Sequence, residues 1–166
     1  EDGNFHVPSV FMTEEEGRKL LPYIGGRVQL HSKSERVPGS GYNIIGTKGG
    51  NRAERIVITA HIDAKKGTPG AIDNATGVTV LLIVAELLQN YAGDRQIELV
   101  ALNGEDYYSV PGQMRYIAEN QDRFSTILLN INIDGAAYKT GKTTFSFFDL
   151  PGKTEKKASE IIDNYP

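Results

Sequence analysis

Five side chains able to ligate a cation or move a proton stand just after apolar runs, and a sixth opens one. His61 and Asp63 follow Ile56-Val57-Ile58-Thr59-Ala60, Glu105 and Asp106 follow residues 97–102, and Asp134 ends residues 127–133. Asp73 opens the long apolar-periodic segment 73–89. Each piece alone has a plain explanation. A histidine at a strand end is usually just hydrogen-bonded, Asp73-Asn74 suits a helix N-cap, Glu105-Asp106 suits a solvated loop, and Asp134-Gly135 suits a turn. Together they place one imidazole and several carboxylates at one edge, which makes either a metal site or an acid/base site. Clustered carboxylates with no Lys or Arg beside them repel strongly in low dielectric unless a cation neutralises them. That favours a metal.

The elements that would position these groups alternate between strand and helix. Thr13-Glu14-Glu15-Glu16 is a capping box, with Thr three residues before Glu, opening a helix to about residue 21. Gly25-Gly26 closes that unit, and the alternation in residues 27–31 predicts a strand. Residues 32–41 are polar and turn-rich and read as a seam, giving a lead-in segment 1–41 and a main domain 42–166. Strands are predicted at 42–46, 56–60, 97–102, 127–133 and, as an edge or hairpin, 143–148. Helices are predicted at 73–89, 111–119 and 153–163. The 56–60 run is continuously apolar or β-branched, as in a strand buried on both faces. The helix at 73–89 carries apolar residues on most sides and is expected to be covered on most sides. This order predicts an α/β domain with a largely parallel sheet, in which ligands bind outside the carboxyl ends of the strands.

Composition narrows the classes. With 166 residues, 39% apolar and 23% charged, the chain suits one globular domain or one plus a fragment. A net charge of −3 lacks the footprint of a nucleic-acid binder. The longest apolar stretch, 78–88, is interrupted by Thr79 and Glu86, so no membrane span is expected. The absence of Cys removes disulfides, thiolate metal sites and thiol nucleophiles. The chain starts at Glu1 and ends at Pro166 directly after a predicted helix, and it is read here as part of something longer.

Four ordered motifs resemble the M28-type zinc peptidases: Thr59-Ala60-His61-Ile62-Asp63, Gly70-Ala71-Ile72-Asp73-Asn74-Ala75-Thr76-Gly77, Asn103-Gly104-Glu105-Asp106 and Asn132-Ile133-Asp134. Twelve positions separate His61 from Asp73, 32 separate Asp73 from Glu105, and 28 separate Asp106 from Asp134. The resemblance runs from about residue 42 to 138. It implies a three-layer fold with a mostly parallel sheet and helices on both faces, cut short at the C-terminus. It also implies that two zinc ions are bound. Asp73 would bridge them, His61 and Asp134 would complete one site, and Asp106 would serve the other, where Glu is the commoner residue. Glu105 would be the general base and Asp63 would orient His61. The resemblance places a cis peptide at Asp73-Asn74.

The implied chemistry is exopeptidase hydrolysis, foremost by an aminopeptidase acting on peptide or protein N-termini. Two zinc ions roughly 3.5–4 Å apart hold a water and polarise the scissile carbonyl, and Glu105 moves the proton. One ligand departs from the pattern. The family's second histidine, well downstream of Asp134, has no counterpart, since the histidines are His6, His31 and His61. It is expected in a further C-terminal part, or else the site is degenerate. Residues 7–36 resemble the tail of a protease-associated domain. The rival expectations are a non-catalytic receptor-like relative and a single-zinc glutaminyl cyclase-like enzyme. An open sheet edge predicts a homodimer, and export, to the cell envelope or beyond, is the expected location.

Overall fold

The computed structural model describes residues 10–31, 33, 37–107 and 109–164. Val7, Pro8 and Ser9 at the start of the 7–36 segment, His6, Tyr108 and part of the 32–41 seam lie outside the described residues. The chain divides into two compact units, residues 1–40 and 41–166.

In the first unit, α1 (Glu14–Leu20) starts where the capping box places it, with Thr13 Oγ1 accepting the N–H of Glu16 at 3.3 Å. A short 3₁₀ turn, Leu21–Tyr23, extends it. The strand predicted at 27–31 does not form. Those residues are irregular and exposed, and alternation without a partner strand gives the backbone nothing to pair with.

The second unit is mixed α/β. Its sheet contains β1 (Ile44–Lys48), β2 (Arg55–His61), β3 (Gln96–Leu102) and β4 (Ile127–Asn132), in the order β1-β3-β2-β4. Strand β2 pairs in parallel with both β3 and β4, whereas β1 runs antiparallel to β3 at the edge. The carboxyl ends of β2, β3 and β4 therefore share one side of the sheet. The chain moves from β2 to one neighbour and later returns to the other, which makes the end of β2 a topological switch point.

The helices are α2 (Ala75–Leu87), which packs on β2 and β3, α3 (Pro111–Glu119), which reaches β3 through Tyr116, and α4 (Gly152–Asn164), which buries no residue. Pro111 at the first position and Asn74 as a cap set two of these starts, as expected of those residue types. A 3₁₀ segment, Gln121–Thr126, leads into β4. The core is Val57, Val100 and Tyr116, with Leu102 and Ile127 packed against them. Beside it lies a buried polar network, in which Arg55 Nη1 donates to Glu98 Oε2 at 2.9 Å and Tyr116 Oη donates to Glu98 Oε1 at 2.6 Å. It ties the starts of β2 and β3 to α3.

Two further expectations are corrected. Residues 143–148 form no strand, because among the described residues no strand pairs with them. Helix α2 is not covered on most sides. It buries Gly77 and Leu81, while Leu82, Ile83 and Leu87 are exposed.

Candidate metal centre

The last residue of β2 is His61, and its ring is 4% exposed. Four carboxylates surround it. Its Nε2 lies 2.9 Å from Asp73 Oδ1, 3.5 Å from Asp134 Oδ1 and 3.9 Å from Glu105 Oε2. On the other side of the ring, Nδ1 meets the backbone carbonyl of Asp63 at 3.1 Å and its carboxylate at 3.6 Å. A carbonyl facing Nδ1 selects the tautomer with the proton there, leaving Nε2 with a lone pair towards Asp73 and Asp134.

Each carboxylate arrives by a different element. Asp63 follows β2 by two residues, Asp73 precedes the cap of α2, Glu105 and Asp106 lie in the loop from β3 to α3, and Asp134 is two residues past β4. The Asp73-Asn74 peptide bond is cis. The loop carrying Glu105 and Asp106 has positive φ at Gly104 (87°) and at Val110 (35°). Asp63 fastens its start by accepting the N–H groups of Gly104, Glu105 and Asp106 at 2.7, 3.0 and 3.1 Å.

These contacts move proton affinities in ways that can be traced. Burial pushes the Asp63 carboxyl up, but the N–H donors from Glu105, Asp106 and Gly104 outweigh it and hold it below its ordinary value. Burial raises Glu105, the His61 charge opposes this, and the carboxylates of Asp134, Asp106 and Asp63 add to the rise. For His61, burial acts downward, but Asp134, Glu105, Asp73 and Asp63 together prevail and raise it. A negative cluster is thus pulling positive charge towards His61.

Two groupings of side chains come within ligating reach of a single ion: His61 with Asp73 and Asp134, and His61 with Asp63 and Asp106. Four buried side-chain atoms have no hydrogen-bond partner among the described residues, Glu54 Oε2, Arg55 Nε, His61 Nε2 and Asp106 Oδ2, and the last two lie in this cluster. The 2.9 Å approach of Asp73 to Nε2 does not have hydrogen-bond geometry. Buried polar atoms are ordinarily paired, so these two orphans point to an ion. Imidazole with carboxylates is a donor set that suits zinc.

All six residues expected from the sequence lie in this cluster, and Asp63 faces His61 Nδ1. Its backbone carbonyl makes the closer contact to His61, and its carboxylate chiefly holds the 104–106 loop. Sequence reasoning missed Asn43, whose Oδ1 accepts the N–H of Asn103 at 3.0 Å and whose Nδ2 donates to the Gly112 carbonyl at 2.8 Å. It closes the loop of Glu105 and Asp106 from sixty residues away, beyond any local pattern. Thr59 and Asn132 belong to the quoted motifs, but their contact with each other lies beyond local pattern. Thr59 Oγ1 donates to Asn132 Oδ1 at 2.8 Å, joining β2 to β4 just below His61 and Asp134.

The model of peptidase family M28 matches residues 43–165. The chain belongs to this family. Its M28 relatives include aminopeptidase YwaD of Bacillus subtilis, 25% identical over 139 residues that cover 80% of this chain and 30% of that protein. A probable leucine aminopeptidase 2 of Trichophyton verrucosum is 28% identical over 78% of this chain and 27% of its own length. Among solved structures, a zinc aminopeptidase from Bacillus subtilis superposes with a TM-score of 0.60 at 25% identity, covering 73% of this M28 chain and 32% of that one. The chain thus spans about a third or less of the proteins it matches.

Proposed function

We infer that this chain carries the metal-binding heart of a zinc-dependent aminopeptidase, which removes residues from the N-termini of peptides. The observation that carries the reading is the buried, unpartnered Nε2 of His61 with Asp73 and Asp134 gathered around it. Membership of M28 and the names of the relatives support it.

In this reading His61, Asp73 and Asp134 would hold a zinc ion, and Asp106 would offer a ligand to a second. Zinc there would acidify a coordinated water towards a pKa of about 7 and would polarise a carbonyl. The chain's own residues do the rest. Asp63 keeps the Nδ1 proton of His61 in place through its carbonyl and keeps Glu105 in place through its carboxylate. Glu105 is the general base. Its raised proton affinity lets Oε2 accept the proton of the attacking water and deliver it to the departing amine. The C–N bond of the substrate breaks as a C–O bond forms. The substrate's amino terminus is cationic, and the half-exposed carboxylates of Asp73, Glu105 and Asp134 provide a field that attracts it.

The test is release of the N-terminal residue from short peptides by the zinc-loaded, full-length protein and by its Glu105→Gln variant. Loss of roughly 10²–10⁴-fold in kcat with zinc content unchanged is the expected result. Equal rates in the two proteins would remove Glu105 from the role.

A further inference from the structure

We propose that Asn74 is a positioning residue that fixes Asp134 relative to Asp73, so that one amide side chain sets the spacing of the two carboxylates in front of His61. The proposal rests on the metal-site reading above and says how this chain builds that site.

Asn74 is 2% exposed and directly follows Asp73. Its Oδ1 accepts the N–H of Gly77 at 3.0 Å, in the first turn of α2, and the N–H of Gly135 at 3.2 Å. Its Nδ2 donates to the carbonyl of Ile133 at 2.9 Å. The amide thus grips the backbone on both sides of Asp134, while its own backbone carries Asp73. Capping the helix accounts only for the Gly77 contact, and Ser, Thr or Asp caps a helix about as well. Holding a carbonyl and an N–H on either side of one residue requires a head that donates and accepts at once, as an amide does.

The surroundings are built for this contact. A Cβ at Gly77 would collide with the Asn74 amide and the Ile133 carbonyl, so glycine there lets α2 close against both. The Ile133 N–H donates to the Thr59 carbonyl at 2.8 Å, which keeps the segment tied to β2 as far as the residue before Asp134. The side chains of Asp73 and Asp134 are 65% and 47% exposed. Packing alone does not hold them, and their separation follows from the backbone that Asn74 clamps.

Two variants separate this role from helix capping. Asn74→Ser keeps an acceptor for Gly77 but is too short to reach Ile133 and Gly135. Asn74→Asp keeps the shape and both acceptor contacts and loses only the donor to Ile133. It also adds a negative charge that would by itself attract a cation. Zinc titration by calorimetry, the visible spectrum of bound Co²⁺, and amide hydrogen exchange at Gly77 and Gly135 would be measured on the full-length protein and both variants. The expected result is zinc affinity lowered roughly 10–100-fold in both variants, the range found when groups that orient metal ligands are removed. The Co²⁺ spectrum should change as well. In Asn74→Ser, exchange should speed up at Gly135 while Gly77 stays protected. Parental zinc affinity and Co²⁺ spectrum in either folded variant would overturn the proposal. So would unchanged protection at Gly135 in Asn74→Ser, the mark of a helix cap alone. Should the parent protein bind no zinc, the metal-site reading falls. The exchange pattern then decides on the clamp, with selective loss at Gly135 upholding it and any other pattern refuting it.

Discussion

Asp63 Oδ1 accepts the backbone N–H of Glu105 at 3.0 Å, so the segment leaving β2 holds the segment leaving β3. Two more N–H groups, from Gly104 and Asp106, point at the same carboxylate. A carboxylate with three backbone donors is a strong tie, because hydrogen bonds to a charged group contribute about 1.5–3 kcal/mol each and leave costly orphans when broken. Asp63→Ala should therefore destabilise the metal-free protein by at least about 2 kcal/mol and lower zinc affinity, as read by denaturant unfolding and calorimetry. An unchanged unfolding midpoint would show that the loop is held by other means.

The same tie has a pH signature. The folded-state pKa of Asp63 lies below its ordinary value of 3.8. A depressed carboxyl contributes stability that is present above the unfolded pKa and lost as pH falls through the folded one. The metal-free protein should lose stability on acidification below about pH 4, and Asp63→Asn should show a shallower loss over that window. Identical acid limbs for the two proteins would assign the acid sensitivity to other groups.

Asn43 makes the matching tie at the far side of the loop, to Asn103 and Gly112. Asn43→Ala removes both contacts without touching the metal cluster. A stability cost of about 1–2 kcal/mol is expected, with lower kcat, because Glu105 loses its fixed position, and with zinc stoichiometry unchanged. A full set of kinetic constants equal to the parent's would mean that the loop does not depend on this closure.

At the other end of β2 and β3, Arg55 and Glu98 are 1% and 3% exposed and paired at 2.9 Å. Removing one partner leaves a buried charge uncompensated, so Glu98→Ala should cost about 3–5 kcal/mol in denaturant unfolding. Arg55→Met combined with Glu98→Leu should cost far less. Tyr116 extends this network. Burial, the hydrogen bond to Glu98 and the Glu98 charge push its phenol well above its ordinary pKa of 10.0. A raised pKa means that its contribution is complete below pH 10 and is lost as pH rises beyond it. Tyr116→Phe should remove part of the alkaline destabilisation, which a pH series of unfolding midpoints would detect.

Much of this architecture is legible in the amino-acid sequence. The β-branched run 56–60 falls inside β2, Pro111 opens α3, and the Thr13 box opens α1, because each signal acts over a few residues of chain. Residues 27–31 and 143–148 have strand-like residues, but a strand is completed by a neighbour, which local pattern does not supply. The reactive residues are readable because they sit at strand ends. Their supports are not. Asn74 reads as a cap, and only the fold brings Ile133 and Gly135, about sixty residues later, to its other face. Asn43 and the carboxylate of Asp63 act across similar distances.

The central claim is that the cluster around His61 is a zinc site. Calorimetric titration of zinc into this chain, beside its Asp73→Ala variant, tests it most directly. The account predicts saturable binding of at least one ion per chain that the variant loses, with both proteins folded by circular dichroism. A folded parent chain that takes up no zinc, or a variant that binds it equally well, would contradict the account.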